Sequence, residues 1–385
     1  MEKIKIGLFV DSFYPMIDGV VAVVDNYARG LMKYADVTVF TLNGRESYDD
    51  SVFPYKVVRC KSLKVGFLDY NLGTPKFDKK FKEELDNSNL DIVHIHSPFA
   101  LGEIGVKYAK KHNIPLIFTF HSQFKEDFYK ATKSKFMANI LLKSIMRTIN
   151  KADICFTMNE YSKNLLIDYG CTRPIDIISN AVDFLPETVS TKEFEEKYQI
   201  EKDELMLMYL GRINTLKNLD FILNSLTKLP EDVKYKMVFV GGGAELNQFK
   251  NKAIKLNLQD KVIFTDKILD RNVQKPILQR ADLFLFPSKY DTDGIVKTEA
   301  SCFHTPTLAL KNTGAGSAIT HNVNGILIDE DEQQFVDAIV KCNNDREYLK
   351  ELGENAFRDL YVNWDTKIDQ IYNKYIEIIK NKKGL

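Results

Sequence analysis

Two successive series of short apolar runs, each run followed by a longer helical stretch, constrain this chain more than any other feature. In the first half the runs are 5–10, 37–42, 55–60, 91–96, 115–120, 153–158 and 175–179. Several are apolar almost throughout, the pattern of a strand covered on both faces. Helical spacing lies between them, as at 20–33 and 104–112. The alternation begins again at 205–210, 236–240, 262–265, 282–287, 307–310 and 325–328. Repeated strand–helix units predict parallel sheets with right-handed crossovers, and two series predict two doubly wound α/β domains. At 385 residues the chain exceeds the size at which one hydrophobic core stops growing. The segment 183–204 joins a proline to dense charge, so domains are expected at 1–183 and 184–363. Beyond them, Trp364, Ile368, Ile371, Tyr372, Tyr375, Ile376 and Ile379 recur three and four apart, which makes 364–385 an amphipathic helix that must dock on a neighbour.

Charge and cysteine content narrow the function classes. The 53 Lys and Arg balance the 53 Asp and Glu, unlike the basic excess of a dedicated nucleic-acid binder. Neutrality hides a local asymmetry: residues 104–151 hold ten Lys or Arg against Glu126 and Asp127. There Lys130, Lys133, Lys135, Lys143 and Arg147 interleave with Phe136, Met137, Ile140, Leu141, Leu142, Ile145 and Met146. Such a basic amphipathic helix suits an anionic lipid surface, with about 1 kcal/mol per basic residue. It equally suits a surface helix with its apolar side in the core. The five cysteines (Cys60, Cys155, Cys171, Cys302, Cys342) are scattered and contain no CxxC pair, so they read as reduced and mostly buried. The first apolar run is broken by Asp11, which makes it a strand rather than a signal peptide. No run reaches the ~18 apolar residues of a membrane span. A cytoplasmic protein, at most peripheral on the inner face of the membrane, is expected.

Four segments could carry chemistry. After the first run, Gly19 precedes a helical pattern whose N-terminus would favour an anionic group. After the run 205–210 come Gly211, Arg212 and Lys217, two cations at a strand end where doubly wound folds bind ligands; they suit a diphosphate. The run 236–240 meets Gly241, Gly242 and Gly243, a tight turn and only a weak phosphate signal. The richest segment is FPSKYDTDGIVKTEASCFHTP. Its Gly294 opens a helix whose amides, with Ile295 and Val296, could hold a phosphate. Asp291 precedes that turn and Glu299 lies one turn and more inside it, so both carboxylates could accept hydrogen bonds from hydroxyls of one ligand. Asp291-Thr292-Asp293 also mimics a metal-binding DxD, although one of these carboxylates could equally cap the helix. His94 and His96 form an H-x-H inside an apolar strand; with no third ligand evident they read as packed residues, and no metal site is expected. The absence of GxGxxG excludes a nicotinamide or flavin dinucleotide fingerprint.

In this order the motifs resemble those of the retaining glycosyltransferases of family 4. They are a glycine loop after strand one, D-I-V-H-x-H at 91–96, T-x-H at Thr119 and His121, and N-A-V-D at Asn180–Asp183. Then follow G-R…K at Gly211, Arg212 and Lys217, G-x-G at Gly241 and Gly243, and an acid-x7-Glu at Asp291 and Glu299. The resemblance covers nearly the whole chain. It implies the GT-B fold, two Rossmann-like domains facing a cleft with the C-terminal helix returning to the first. It also implies transfer of a hexose, glucose above all, from a nucleotide diphosphate-sugar, UDP-linked, with no cofactor. By the same resemblance Arg212, Lys217 and the amides of Gly294, Ile295 and Val296 would hold the diphosphate, and Gly19 would close on it. Glu299 would hold the ribose, the backbone of Lys267 and Ile268 would border the base, and Asp291 and His121 would face the sugar as catalytic residues. The acceptor implied is diacylglycerol or a lipid-linked glycan, with capsule or teichoic-type polymers as an alternative. A catalytically silent GT-B partner subunit is the reading from another class. Three positions depart from the family pattern: Asp291 stands for Glu, Ala181 for Gly, and His304 for the Gly before Pro306.

Overall fold

The structure, a computed structural model, describes residues 3–16, 18–44, 48–63 and 72–384. The chain forms two compact units, Met1–Asn180 together with Trp364–Leu385, and Ala181–Asn363. The first crossing falls at Ala181 because Val182 N donates to Val362 O, which ties residues on both sides of Val182 to the end of the second unit.

The first unit is built on a seven-stranded sheet in the order Lys56–Cys60, Ala35–Leu42, Ile4–Phe9, Ile92–Ile95, Leu116–Thr119, Ile154–Thr157 and Ile175–Ile177. Every neighbouring pair is parallel. Strand order reverses between Ile4–Phe9 and Ile92–Ile95, so the loops after these two strands flank the switch point where such sheets bind ligands. The helix Gly19–Leu31 starts at Asp18, whose carboxylate accepts from Val21 N, and buries Val21, Val24, Tyr27, Ala28 and Leu31. The closing helix Trp364–Lys383 docks on this same unit, burying Trp364, Ile368, Ile371 and Tyr375. Lys374–Asp176 at 2.8 Å and Lys382–Asp153 at 2.7 Å fix its far end. A small antiparallel pair, Ser62–Leu63 with Leu72–Gly73, has no counterpart in the apolar pattern.

The basic segment departs from the sequence expectation of one amphipathic helix. It is two, Phe124–Thr132 and Lys135–Ile149. Lys133 takes a left-handed conformation (φ +53°) that ends the first, and the Ser134 hydroxyl caps the second by accepting from Met137 N.

The second unit carries a six-stranded sheet in the order Val262–Phe264, Tyr235–Val240, Leu205–Leu210, Leu283–Phe286, Thr307–Leu310 and Gly325–Ile328, again parallel throughout. Leu205–Leu210 is buried at every position, and each such side chain contributes about 1.5–3 kcal/mol of burial. The switch point here lies between Leu205–Leu210 and Leu283–Phe286. The fold is therefore two doubly wound α/β units, each with one strand-order switch point.

Candidate active site

At the switch point of the second unit two loops meet. Lys217 ends a 3-10 turn, Thr215–Lys217, and its Nζ donates to both carboxylate oxygens of Asp291 at 2.6 and 2.8 Å. The side chains are 18% and 19% exposed, enough for a ligand to reach the pair. Arg212 is exposed, and its carbonyl is held by the buried Tyr209 hydroxyl at 3.0 Å. The glycine turn packs against this loop: Ile213 N donates to Gly242 O, and a Cβ on Gly241 (φ +148°) would lie 1.9 Å from Gly211 O. Its glycines therefore serve close backbone packing beneath Arg212. On the next loop Lys267 is exposed, while the Ile268 carbonyl accepts from Gln274 Nε2 at 2.6 Å.

Gly294 (φ +80°) turns the chain into the helix Ile295–Cys302, and a Cβ there would lie 2.2 Å from the Phe286 ring. The residue at the N-cap is Gly294 itself, which has no side chain to close the helix start. Asp293 serves the buried Lys297, whose Nζ donates to Asp293 O at 2.6 Å, Asp293 Oδ1 at 3.1 Å and Gly314 O at 3.2 Å. The result is an acidic loop pinned from below, with first-turn amides of Ile295 and Val296 at a helix N-terminus that favours anions. Glu299, buried, meets Arg271 Nη1 at 2.9 Å. Burial pushes its pKa up and Arg271 opposes that shift. The two acids thus each have a cation: Lys217 for Asp291 and Arg271 for Glu299. Sequence reasoning found the first pair's members and missed Arg271, Gln274 and Lys297.

The first unit presents a different set at its own switch point. The Gly19 backbone opens its helix, and a Cβ there would meet no atom of the described residues within 4 Å. Asp11 accepts from Leu101 N at 3.1 Å and from the Ser97 hydroxyl at 2.7 Å, and burial raises its pKa to about 6. His94 Nε2 shares a hydrogen bond with the Thr119 hydroxyl at 2.6 Å, and its Nδ1 with the Tyr375 hydroxyl of the closing helix at 2.5 Å. His96 Nδ1 shares one with His121 Nε2 at 3.0 Å. Burial holds His121 at a pKa of about 4 and drives His94 and His96 well below the usual histidine range. The H-x-H pair therefore does have a third histidine beside it, contrary to the sequence reading. Even so, among the described residues no group of three or more His, Cys, Asp or Glu is arranged to hold a metal ion. The cysteines are free and four are buried, but two are not scattered: Cys155 and Cys171 have their sulfurs 3.8 Å apart.

On the helix Lys135–Ile149, Ala138, Leu142, Ile145, Met146 and Ile149 enter the core, which agrees with an ordinary surface helix. A second apolar strip stays outside: Phe136 is 73% exposed, and Met137 and Ile140 are exposed beside Lys133, Lys135 and Lys143, with Arg147 exposed further along the helix. Lys130 lies on the preceding helix, partly covered. No described helix is long and apolar enough to cross a membrane.

Comparison with known proteins finds matches over both units. Residues 17–184 match the model for Glycosyltransferase Family 4, and residues 190–359 that for Glycosyl transferases group 1. The chain is 28% identical over 335 residues to the alpha-monoglucosyldiacylglycerol synthase of Streptococcus pneumoniae, covering 84% of this chain and 75% of that protein. It is 24% identical to the enzyme of the same name from Acholeplasma laidlawii, over 99% of each chain. Among solved structures, HepE of Anabaena in complex with UDP-glucose superposes with a TM-score of 0.76 at 16% identity, covering 97% of this chain and 99% of that one, which shows a shared fold. With both family models matched in tandem over a pair of doubly wound units, the chain belongs to the family 4 glycosyltransferases of GT-B fold and is a hexosyltransferase.

Proposed function

We propose that this enzyme transfers glucose from UDP-glucose to a membrane-associated lipid acceptor, diacylglycerol or a lipid-linked glycan, with retention of anomeric configuration. The observation that carries the donor half is the Lys217–Asp291 pair at the same sheet edge as the helix Ile295–Cys302, which Gly294 opens. In this reading Arg212 and Lys217 balance the diphosphate, and the amides of Gly294, Ile295 and Val296 take phosphate oxygens at the helix start. Glu299 accepts from the ribose hydroxyls, and the backbone of Lys267 and Ile268 borders the base. Asp291 serves the sugar hydroxyls once the diphosphate takes over part of its hold on Lys217. His121, neutral at physiological pH, is assigned to the sugar as a hydrogen-bonding group. Chemistry then needs no enzyme nucleophile: the departing diphosphate oxygen accepts the acceptor hydroxyl's proton as the new glycosidic bond forms on the face being vacated. The enzyme's contribution is charge stabilisation on the leaving phosphate, the largest usual catalytic effect. Two cations and a helix start supply that charge, and we assign the reaction no metal ion.

The lipid half rests on two supports. Both named relatives above are called monoglucosyldiacylglycerol synthases. The strip of Phe136, Met137 and Ile140 beside Lys133, Lys135, Lys143 and Arg147, with Lys130 nearby, has the make-up of a peripheral anchor to an anionic inner membrane face. The test is a panel of nucleotide sugars offered with diacylglycerol or lipid-linked glycan in liposomes, with and without anionic lipid. Glucolipid formed from UDP-glucose, with sedimentation onto anionic liposomes that weakens with salt, is the expected result. Product from another sugar nucleotide alone, or on water-soluble acceptors alone, rejects the assignment.

The start of the helix Gly19–Leu31 offers a sharper check. Because a Cβ at Gly19 meets no atom of the described residues, Gly19→Ala should leave the melting temperature unchanged or slightly raised, alanine being the better helix former. If phosphate approaches that backbone, kcat/KM should nevertheless fall tenfold or more; an unaltered kcat/KM removes Gly19 from the site.

A further inference from the structure

We propose that Arg271 is a positioning residue that orients the Glu299 carboxylate for the ribose and, through Gln274, ties it to the segment beside the base; this rests on the reading of Glu299 as a nucleotide-binding group. Arg271 is the first residue of the helix Arg271–Arg280. Its guanidinium reaches three acceptors on three different elements: Glu299 Oε1 at 2.9 Å, Asp183 Oδ1 at 3.2 Å and Gln274 Oε1 at 2.8 Å. Its plane lies over the Phe184 ring, 4.5 Å from the centroid. Gln274 is buried, and its other amide atom donates to Ile268 O at 2.6 Å. The amide orientation is dictated: reversed, it would set a donor against the guanidinium and an acceptor against a carbonyl. From Glu299 to Ile268 every donor therefore faces an acceptor, and the two positions assigned to ribose and base are joined through one side chain. A lysine could supply the charge at this place but not the fixed fork that spans three acceptors.

The electrostatics give this arrangement a consequence for binding. A ribose hydroxyl donates best to an ionised carboxylate, and burial of Glu299 works against ionisation. The charged groups acting on it are Arg271, which favours the anion, and Asp183, which disfavours it. Cys302, on the same helix, is held neutral, its thiol pushed up to about 11 by burial. Lys275, one turn along from Arg271, is engaged by Glu187 at 3.0 Å. Arg271 is thus the cation that keeps Glu299 charged, and Asp183 acts on Glu299 in the opposite sense while sharing the same guanidinium.

The experiment is calorimetric titration of the full chain with UDP between pH 5 and 8.5, on wild type, Arg271→Met, Arg271→Lys, Glu299→Gln and, as a control on the same helix, Lys275→Met. Glu299→Gln reports the titration of the phosphate itself and serves as the baseline. Against it, wild-type affinity should fall as Glu299 takes up a proton on acidification. In Arg271→Met that fall should begin about one pH unit higher or more, since a cation at this distance typically lowers a carboxylate pKa by 1–3 units, and affinity at neutral pH should drop about tenfold. Arg271→Lys should restore the midpoint but not the full affinity, and Lys275→Met should match wild type. An Arg271→Met profile with wild-type midpoint and affinity overturns the proposal while leaving Glu299 in place. Wild-type binding by Glu299→Gln overturns instead the nucleotide reading on which it stands, so the two failures are separable. A loss of affinity in Arg271→Met with no shift in midpoint, rescued equally by Arg271→Lys, reduces Arg271 to a packing role and also overturns the proposal.

Discussion

Lys217→Ala should lower kcat/KM by about 10²–10³, the usual cost of removing one charge-stabilising group from a transition state, with little change in thermal stability. The size follows from what the substitution leaves behind. In the folded enzyme Lys217 gives two short hydrogen bonds to Asp291. Alanine removes the cation and exposes an uncompensated carboxylate at the place proposed for a dianionic diphosphate, so attraction is replaced by repulsion. Asp291→Asn acts in the opposite sense on binding: it frees Lys217 for phosphate, and UDP affinity should hold or rise while turnover falls through the lost sugar contact. The double substitution should bind UDP better than Lys217→Ala alone, and by more than Asp291→Asn gains in wild type, because without Lys217 the carboxylate is uncompensated; the difference is a non-additivity of the order seen for contacting charged pairs, about 0.5–3 kcal/mol. Steady-state kinetics and UDP titrations on the four proteins complete the cycle. A Lys217→Ala enzyme within threefold of wild type, or strictly additive UDP affinities, would refute the diphosphate assignment.

The parts of this fold that were legible in sequence are those where one element's pattern is enough. Leu205–Leu210, Thr307–Leu310 and Gly325–Ile328 begin and end where their apolar runs do, because a parallel strand covered on both faces is apolar at successive positions. Gly294 could be placed at a helix start because its turn needs a residue without a side chain. What stayed hidden depends on distant partners. Little local distinguishes Arg271 from any other arginine opening a surface helix; beyond Gln274 one turn along its own helix, its importance comes from Glu299 and Asp183 arriving from elsewhere. Lys297 sits in a stretch that reads as ordinary helix, and only Asp293 and Gly314 explain a buried lysine there. Lys133 broke the basic helix without a glycine or proline to announce it. His94 on the strand and His96 just past its end, two apart, were expected to face the same side, but their meeting with His121 follows from Leu116–Thr119 pairing beside Ile92–Ile95, a matter of strand order.

Those three histidines carry the second large expected effect, an acid-labile fold. Folded, His94 and His96 are neutral far below the ordinary histidine pKa of 6.5, and His121 stays mostly neutral down to about 4. Unfolded, each titrates near 6.5. Between pH 6.5 and 4 the unfolded chain therefore binds more protons, so the stability these groups contribute is present above pH 6.5 and is lost as pH falls. Two carboxyls offset part of this. Asp11, raised from 3.8 to about 6, is protonated when folded at pH 5 and gives its proton back on unfolding, and the burial that raises Glu299 acts in the same sense. From the three histidines and Asp11 alone, close to three protons taken up against about one released leaves a net uptake of roughly two at pH 5, equivalent to about 2.7 kcal/mol of stability per pH unit, which the raised Glu299 lessens and His321, lowered by burial, adds to. Unfolding calorimetry at pH 5 in buffers of different ionisation heat measures the uptake directly. Asp11→Asn should increase it by nearly one proton and steepen the fall of melting temperature with acid, while His94→Gln, which replaces a buried titrating ring by a group that cannot charge, should decrease it by one. If unfolding at pH 5 instead releases protons, the three histidines do not hold the neutral, buried arrangement that joins Tyr375, Thr119 and His121 in the first unit.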